Sequence, residues 1–385
     1  MIPGFFVQKS KSLERAEVII VGGGLAGLTA AIHLARKGIS TMLFERNRFP
    51  HHKVCGEYLS REVLPYLKEL EIPFQDLKPA DISRLLFSTS KGKAIETALP
   101  LGGFGLSRYA LDQQLYFKAL ESGVHVVEAS VTEVAFKDDQ FEVLAEEEKY
   151  TSRFVLAAYG KRSNLDKVLD RPFFKTPAPW LAVKSHYQNP SFPEDLVALH
   201  NFEGGYCGLS RTETGAVNVC YLATYKSFKP HKNPEVFRQE VLQKNPFLGT
   251  FFKESAPLFD QPLTIAQVSF DSKLCVKDHI LFLGDAAGLI HPLCGNGMAM
   301  AIHCAKIAAE LILNQPKPSA DQRREMEKEY TQSWNRNFSR RIKTGRLLQK
   351  ILLNQKLSDI SQLLVSKVPF VLPEIIKRTH GHALT

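Results

Sequence analysis

Cysteine and tryptophan are the scarce residues of this chain, six and two in 385. No two cysteines form a CxxC pair, which disfavours a disulfide scaffold or a structural zinc ribbon and fits a reducing, cytoplasmic compartment. Low-complexity tracts and internal repeats are missing, and 44 % hydrophobic with 23 % charged residues excludes wholesale disorder and fibrous classes. One uncharged run near the start could mislead. Val18–Ala35 carries no Lys, Arg, Asp or Glu and follows Lys9, Lys11 and Arg15, a pattern easily mistaken for a signal peptide or membrane span. Its four glycines (Gly22, Gly23, Gly24, Gly27) and β-branched first half are better explained by a buried strand turning into a helix. An excess of one charge sign is also missing over most of the length. Net charge is +9, but from Thr331 onward ten Lys/Arg face only Asp359 and Glu374, so nearly all the excess lies in the last seventh of the chain. The near-neutral remainder argues against a nucleic-acid-binding surface.

What is present reads as two interleaved domains, on a prior of roughly 100–200 residues each. Glu17–Val21 is a buried strand, Leu25–Lys37 a helix ended by Gly38, and Thr41–Phe44 a second strand, which makes a right-handed βαβ unit. Residues 81–99 alternate around a Lys91-Gly92-Lys93 hairpin turn, and residues 180–225 are strand-rich. Strand Ile280–Leu283 precedes a long helix over 297–313, and the remainder is helical.

Gly22-Gly23-Gly24-Leu25-Ala26-Gly27 satisfies GxGxxG between strand and helix. The first glycine permits the tight turn, the second lets backbone amides approach a pyrophosphate, and the third allows helix–strand packing. The helix start offers free N–H groups and a positive dipole end to the anion. Glu45, ending the second strand beside Arg46, suits the ribose hydroxyls. A ligand-free glycine turn is the plainer reading; strand, helix and acid together favour the dinucleotide.

A second strand runs into Gly284-Asp285, then Pro292-Leu293-Cys294-Gly295-Asn296-Gly297 and a helix. Here the chain resembles the FAD-dependent oxidoreductases of the para-hydroxybenzoate hydroxylase fold, nearest their geranylgeranyl reductase-related branch. The resemblance implies that Asp285 binds the ribityl chain and that Pro292, Gly295, Gly297 and Met298 face the flavin ring. Lys53-Val54-Cys55-Gly56-Glu57-Tyr58-Leu59-Ser60 is similar to that branch's flavin loop, which places Cys55 and Gly56 along the cofactor. Arg108 with Leu111-Asp112 and Leu115 resembles a helix whose arginine reaches the pyrophosphate, and Ala129–Val131 follows the strand that contacts adenine. The plainer alternatives are a solvated arginine and an inert buried cysteine.

The departures bear on chemistry. The hydroxylase D-G-x-x-S-x-x-R stretch becomes Tyr159-Gly160-Lys161-Arg162-Ser163-Asn164-Leu165-Asp166, without its first Asp and last Arg, so the electron donor, NAD(P)H or a separate one, stays open. The halogenase W-x-W-x-I-P signature is absent, and the prenyl-reductase Y-x-W-x-F-P pattern is half kept at Gly205–Ser210. His51-His52 has no carboxylate or cysteine at ligand spacing, so no metal is expected. His291 is either a proton donor over the flavin or a loop histidine.

The expected fold is α/β: a Rossmann-like FAD-binding domain (17–80, 100–175, 268–320), an inserted mixed β-sheet substrate domain (81–99, 176–267) and a basic helical C-terminal region (321–385). Phe87, Leu199, Phe202, Tyr206, Cys220 and Tyr221 are candidates to line an apolar substrate pocket. Three functions follow. Reduced flavin delivers hydride to an alkene, with Cys55 or His291 as the acid; or it activates oxygen to hydroxylate, epoxidise or halogenate; or the protein is a non-catalytic flavin-binding docking module. Leu347, Leu348, Ile351 and Leu352 beside Arg340, Arg341, Lys343, Arg346 and Lys350 read as a solvated helix face, a membrane-surface contact or a carrier-protein contact.

Overall fold

Alternation and glycine punctuation decide where each element falls. The computed structural model describes residues 14–353, 374, 376–378 and 381–384. The opening unit is β1 (Glu14–Val21), α1 (Leu25–Arg36) and β2 (Thr41–Phe44), followed by β3 (Tyr58–Ser60) and α2 (Leu64–Glu69). A long hairpin, β4 (Ala80–Ser88) and β5 (Ala94–Gly105), leads to α3 (Arg108–Glu121), β6 (His125–Val127), β7 (Val131–Lys137), β8 (Gln140–Ala145) and β9 (Glu148–Ala157). After α4 (Asn164–Val168) come β10 (Trp180–Gln188), β11 (Leu196–Phe202), β12 (Gly205–Arg211) and β13 (Val217–Thr224). Next are α5 (Tyr225–Phe228), α6 (Pro234–Glu240), α7 (Pro246–Lys253), β14 (Ala256–Pro257) and β15 (Leu263–Val268). The chain closes with β16 (Val276–Lys277), β17 (Ile280–Phe282), α8 (Gly297–Asn314), α9 (Ala320–Trp334) and α10 (Arg340–Leu353).

Two sheets result. The first runs β16-β17-β9-β1-β2-β6, with the β7–β8 hairpin paired to β9, and β1 lies parallel to both β2 and β9. Such a strand is covered on both faces, which is why Val18–Val21 is continuously apolar and buried. The second runs β14-β10-β13-β12-β11-β4-β5-β3, with β15 on β10. It reaches past the expected limits of the inserted domain, taking in Tyr58–Ser60 and the end of β5 at Gly105.

Helix α8 is the one described helix long and apolar enough to cross a membrane. It packs against α1 in the main core, with Ala305, Ala308 and Ile312 at or near zero exposure. Both helices carry small buried residues (Ala30, Ala31, Ala305, Ala308), which permit a close approach.

Helix α10 presents Arg340, Lys343, Leu347 and Lys350 outward, as the segment before it does Arg336, but it turns Arg341 inward. Arg341 pairs with buried Glu62 at 3.3 Å. Glu62 also accepts the Gly381 N–H, and the Leu384 N–H reaches its carbonyl at 2.8 Å. Gly345 seats the helix against His291 and Cys294. The expected basic stripe is thus partly consumed in fastening the chain to itself; the side chain of Leu352, and Lys356 and Lys367, lie outside the described residues.

Candidate active site

Five strand ends meet at one cavity of about 740 Å³, inside the roughly 300–1,000 Å³ of small-molecule clefts. Val21, Phe44, Ala158 and Leu283 contribute from the ends of β1, β2, β9 and β17, and Ala129–Val131 from beyond β6. In a parallel sheet the carboxyl ends of the strands are where ligands sit.

The glycine turn fits a pyrophosphate. A Cβ on Gly24 would meet only the Arg108 Nη2, at 3.7 Å, so this glycine leaves room on the cavity side. A Cβ on Gly27 would collide with the Gly22 carbonyl, so this one closes helix onto strand. Neither α1 nor α8 has a side-chain cap, and residues at both N-terminal ends (Gly24, Leu25; Gly297, Met298) line the same cavity. Two uncapped helix starts make it an anion-seeking space. Glu45 is fixed beside the turn, its Oε2 accepting from Gly23 N–H at 2.9 Å and its Oε1 from Asn47 N–H at 3.0 Å.

Arg108 does not float. Its Nε and Nη2 donate to Asp112, one helical turn on, at 2.7 and 2.8 Å, and Lys53 Nζ reaches Asp112 Oδ2 at 2.8 Å. Burial alone would raise the Asp112 pKa, but the two cations outweigh it and hold the carboxyl below the usual range. Three charges therefore keep a guanidinium aimed at Gly24.

Most residues expected to hold the cofactor line this cavity: Gly22, Gly24, Ala26, Glu45, Arg46, Cys55, Gly56, Arg108, Val131, Gly284, Asp285, Pro292, Gly295, Gly297 and Met298. Its second half is apolar, built from Ala182, Leu222 and Val268 of the second sheet with Tyr206 and Leu289.

Four expectations are corrected. His291 caps the turn at 292–294, with its ring among Trp180, Tyr206 and Phe270, and is 1 % exposed. Burial drives its pKa down to about 3, so it stays neutral, and it lies outside the cavity lining. Phe202 faces the opposite side of the sheet and packs on Phe237 of α6. Tyr221 borders the cavity, yet its ring lies on that far side against Phe202 and Phe237. Neighbours on a strand point to opposite faces, so the cavity takes Cys220 and Leu222 and cannot also take the Tyr221 ring. Phe87, half-buried opposite Leu199, lies beyond the lining.

One cluster escaped the sequence reading altogether. Glu57 is fully buried at the cavity edge with φ +53, a backbone conformation that costs a non-glycine residue energy. Its Oε1 accepts from Lys184 Nζ at 2.5 Å and from the Arg108 N–H at 2.8 Å, and its Oε2 contacts His186 Nε2 at 2.7 Å. Burial pushes the Glu57 pKa up, and His186 and Lys184 together pull it below the usual value. The ligand atoms of His52, Glu57 and His186 lie within 4.8 Å of one another, so the spacing argument against a metal here does not hold. The stronger objection is electrostatic: a divalent ion would sit beside the buried Lys184 ammonium. His52, lowered to about 4 by burial and by the charges of Lys184 and His186, is neutral. The available signal was Lys184-x-His186, two polar groups on one face of an otherwise apolar strand.

Against known proteins, residues 15–324 match the FAD binding domain family model. The chain belongs to this FAD-binding family. It is an FAD-dependent oxidoreductase of the para-hydroxybenzoate hydroxylase fold. Among relatives of this FAD-binding chain, a digeranylgeranylglycerophospholipid reductase of Methanocaldococcus jannaschii is 24 % identical over 89 % of this chain and 88 % of its own. A menaquinone reductase of Mycobacterium tuberculosis is 24 % identical over 78 % and 77 %. In structure, a geranylgeranyl bacteriochlorophyll reductase-like protein of Thermoplasma acidophilum superposes with TM-score 0.75 at 21 % identity, over 95 % of this chain and 100 % of that one. A flavin-dependent brominase gives 0.76 at 18 % identity, over 95 % and 93 %. The geometry fits FAD: Gly24, Arg108 and the α1 start would take the pyrophosphate, Glu45 the ribose, and Asp285 with the α8 start the ribityl–ring end.

Proposed function

We propose that this FAD-dependent oxidoreductase reduces carbon–carbon double bonds in a long apolar substrate of prenyl or polyene type. The observation that carries the reading is the apolar second half of the cavity. Trp180, Ala182, Tyr206, Leu222, Val268 and Leu289 form a cluster with Val54 of the flavin loop packed against it, so an unfunctionalised chain lies on hydrocarbon right up to that loop. The relatives named as reductases of digeranylgeranylglycerophospholipid and menaquinone support the same class.

Bound FAD supplies a hydride in such chemistry. The protein holds the alkene against the wall, excludes water from it and provides the proton. Cys55 is the acid assigned here: it lines the cavity, and the Glu57 N–H donates to its Sγ at 3.5 Å, which fixes the sulfur while leaving its own proton to the substrate side. His291, buried outside the cavity lining and kept neutral by that burial, is the weaker candidate. The residues at the two departed motif positions are occupied internally. Tyr159 Oη donates to Asp166 at 2.7 Å, and Arg171 pairs with Asp166 at 3.1 Å. This favours a separate electron donor over the hydroxylase manner of handling NADPH.

Turnover of dithionite-reduced protein with a prenyl alkene under argon is the deciding experiment. Saturated product and reoxidised flavin without oxygen support the reading; product only after oxygen is admitted would make the protein a monooxygenase. Cys55→Ala is expected to retain FAD and to slow anaerobic reduction by roughly 10²–10⁴-fold, the usual worth of a positioned acid. Unchanged rates would remove Cys55 from that role.

A further inference from the structure

One face of the second sheet carries two rows of opposite chemistry. Residues paired across an antiparallel sheet share a face. Ala182, Leu222 and Tyr206 stand opposite one another on β10, β13 and β12, and all three line the apolar half of the cavity. Four residues along the same strands, hence on the same face, stand His186, Asn218 and Ser210. These three are buried as well, at 5 %, 0 % and 1 % exposure. At ~3.3 Å per residue the two rows lie roughly 13 Å apart.

The polar row meets the flavin loop. Asn218 Nδ2 donates to the Cys55 carbonyl at 3.2 Å, Ser210 Oγ to the Gly56 carbonyl at 3.4 Å, and His186 Nε2 contacts the Glu57 carboxylate at 2.7 Å. Three consecutive loop residues are thus held by three adjacent strands. The Asn218 Oδ1 is buried with no partner among the described residues, a cost that a leucine of similar size would avoid. Its donor is the part that the site uses.

Peptide geometry gives that donor a consequence. The Cys55–Gly56 bond is trans, so its C=O and N–H point in opposite directions. With the carbonyl turned to the sheet, the Gly56 N–H faces away from it. The next peptide repeats the arrangement: its carbonyl faces Ser210, and the Glu57 N–H reaches the Cys55 Sγ on the far side. Gly56 is exposed, lines the cavity and has open space where a Cβ would stand. Among the described residues its N–H meets no acceptor. On one side Glu57 binds the Arg108 N–H; on the other Tyr58 lies against Gly295 of the turn into α8. The free donor therefore stands between two groups expected to hold the cofactor.

We propose that Asn218 is a positioning residue: by holding the Cys55 carbonyl it turns the Gly56 N–H into the cavity, as a donor to an acceptor atom of bound FAD. Asn218 lies outside the cavity lining and acts only through that peptide. The inference rests on FAD binding alone and holds whether the reduced cofactor then meets an alkene or oxygen.

The test is a double-mutant cycle on FAD affinity in the full-length protein. Asn218→Leu removes the clamp, and Gly56→Pro removes the N–H itself. Each should weaken FAD about three- to tenfold, the worth of one hydrogen bond, with the melting transition little changed. Because both act on one bond, the double variant should bind no more weakly than the weaker single. Losses that multiply, or an Asn218→Leu protein with parental affinity, would overturn the proposal. Should the proline variant not fold, amide hydrogen exchange decides. FAD should slow exchange at Gly56 at least tenfold in the parent and not in Asn218→Leu, whereas equal protection in both would make Asn218 packing. Asn218→Ala serves if the leucine variant does not fold. The yellow colour of the parent reports FAD binding separately from either readout.

Discussion

Gly24→Val is expected to fold and to come off the column colourless. The new side chain meets nothing within 4 Å of its Cβ except the Arg108 guanidinium at 3.7 Å, and Gly24 already has the extended backbone (φ −86, ψ −174) that valine accepts. What it removes is the room a pyrophosphate needs to reach the backbone amides. FAD affinity should fall at least 100-fold, which is about 2.7 kcal/mol. The apoprotein's melting transition should move little. Gly27→Val is the control with the opposite signature. Its Cβ runs into the Gly22 carbonyl, and α1 cannot close on β1, so cooperative melting and colour should be lost together. The ratio of flavin absorbance to protein absorbance, with circular dichroism melts, reads both. A yellow Gly24→Val at full occupancy would move the pyrophosphate elsewhere.

The second large effect is expected at Lys184→Met. Taking the ammonium from a fully buried carboxylate leaves an uncompensated charge, and breaking one side of such a pair costs about 3–5 kcal/mol. The pH dependence has a definite sign. The Glu57 pKa is depressed in the folded protein, so its contribution is complete above the ordinary carboxylate range and is lost as pH falls through the lowered folded-state value. Without Lys184 that depression weakens, so less of the stability is left for acid to remove. Urea melts at pH 7 and pH 5 should show a smaller acid penalty in the variant than in the parent. The double variant Glu57→Gln/Lys184→Met should recover part of the deficit, since the cycle removes both charges together. A single variant as stable as the parent would show that Glu57 is held by its remaining donors alone.

How much of this could be read beforehand depended on sequence distance. The turns at Gly24 and Asp285 are local events, a buried strand followed by glycine and a helix start, and each carries its own signature within about ten residues. Their meeting followed from the family resemblance. The Glu57 cluster had no local signature, because Lys184 and His186 arrive from 127 and 129 residues away. The two readings of His291, proton donor or loop histidine, stayed inseparable for the same reason, since the rings that bury it come from β10, β12 and residue 270. Phe202 and Tyr221 failed on parity. A strand offers only one of its two faces to a cavity, and choosing the face needs the helices on the other side, here Phe237 of α6.

The seating of α10 has a consequence for whatever the apolar half of the cavity accommodates. Gly345 abuts His291 and Cys294 behind Tyr206, Gln349 fills in beside Trp180, and Arg341 is bolted to Glu62. Among the described residues, α10 backs that end of the cavity. On the alkene-reductase reading, a guest with a hydrocarbon tail and a bulky polar head is then expected to enter tail first, so the first double bonds presented to the cofactor are those far from the head.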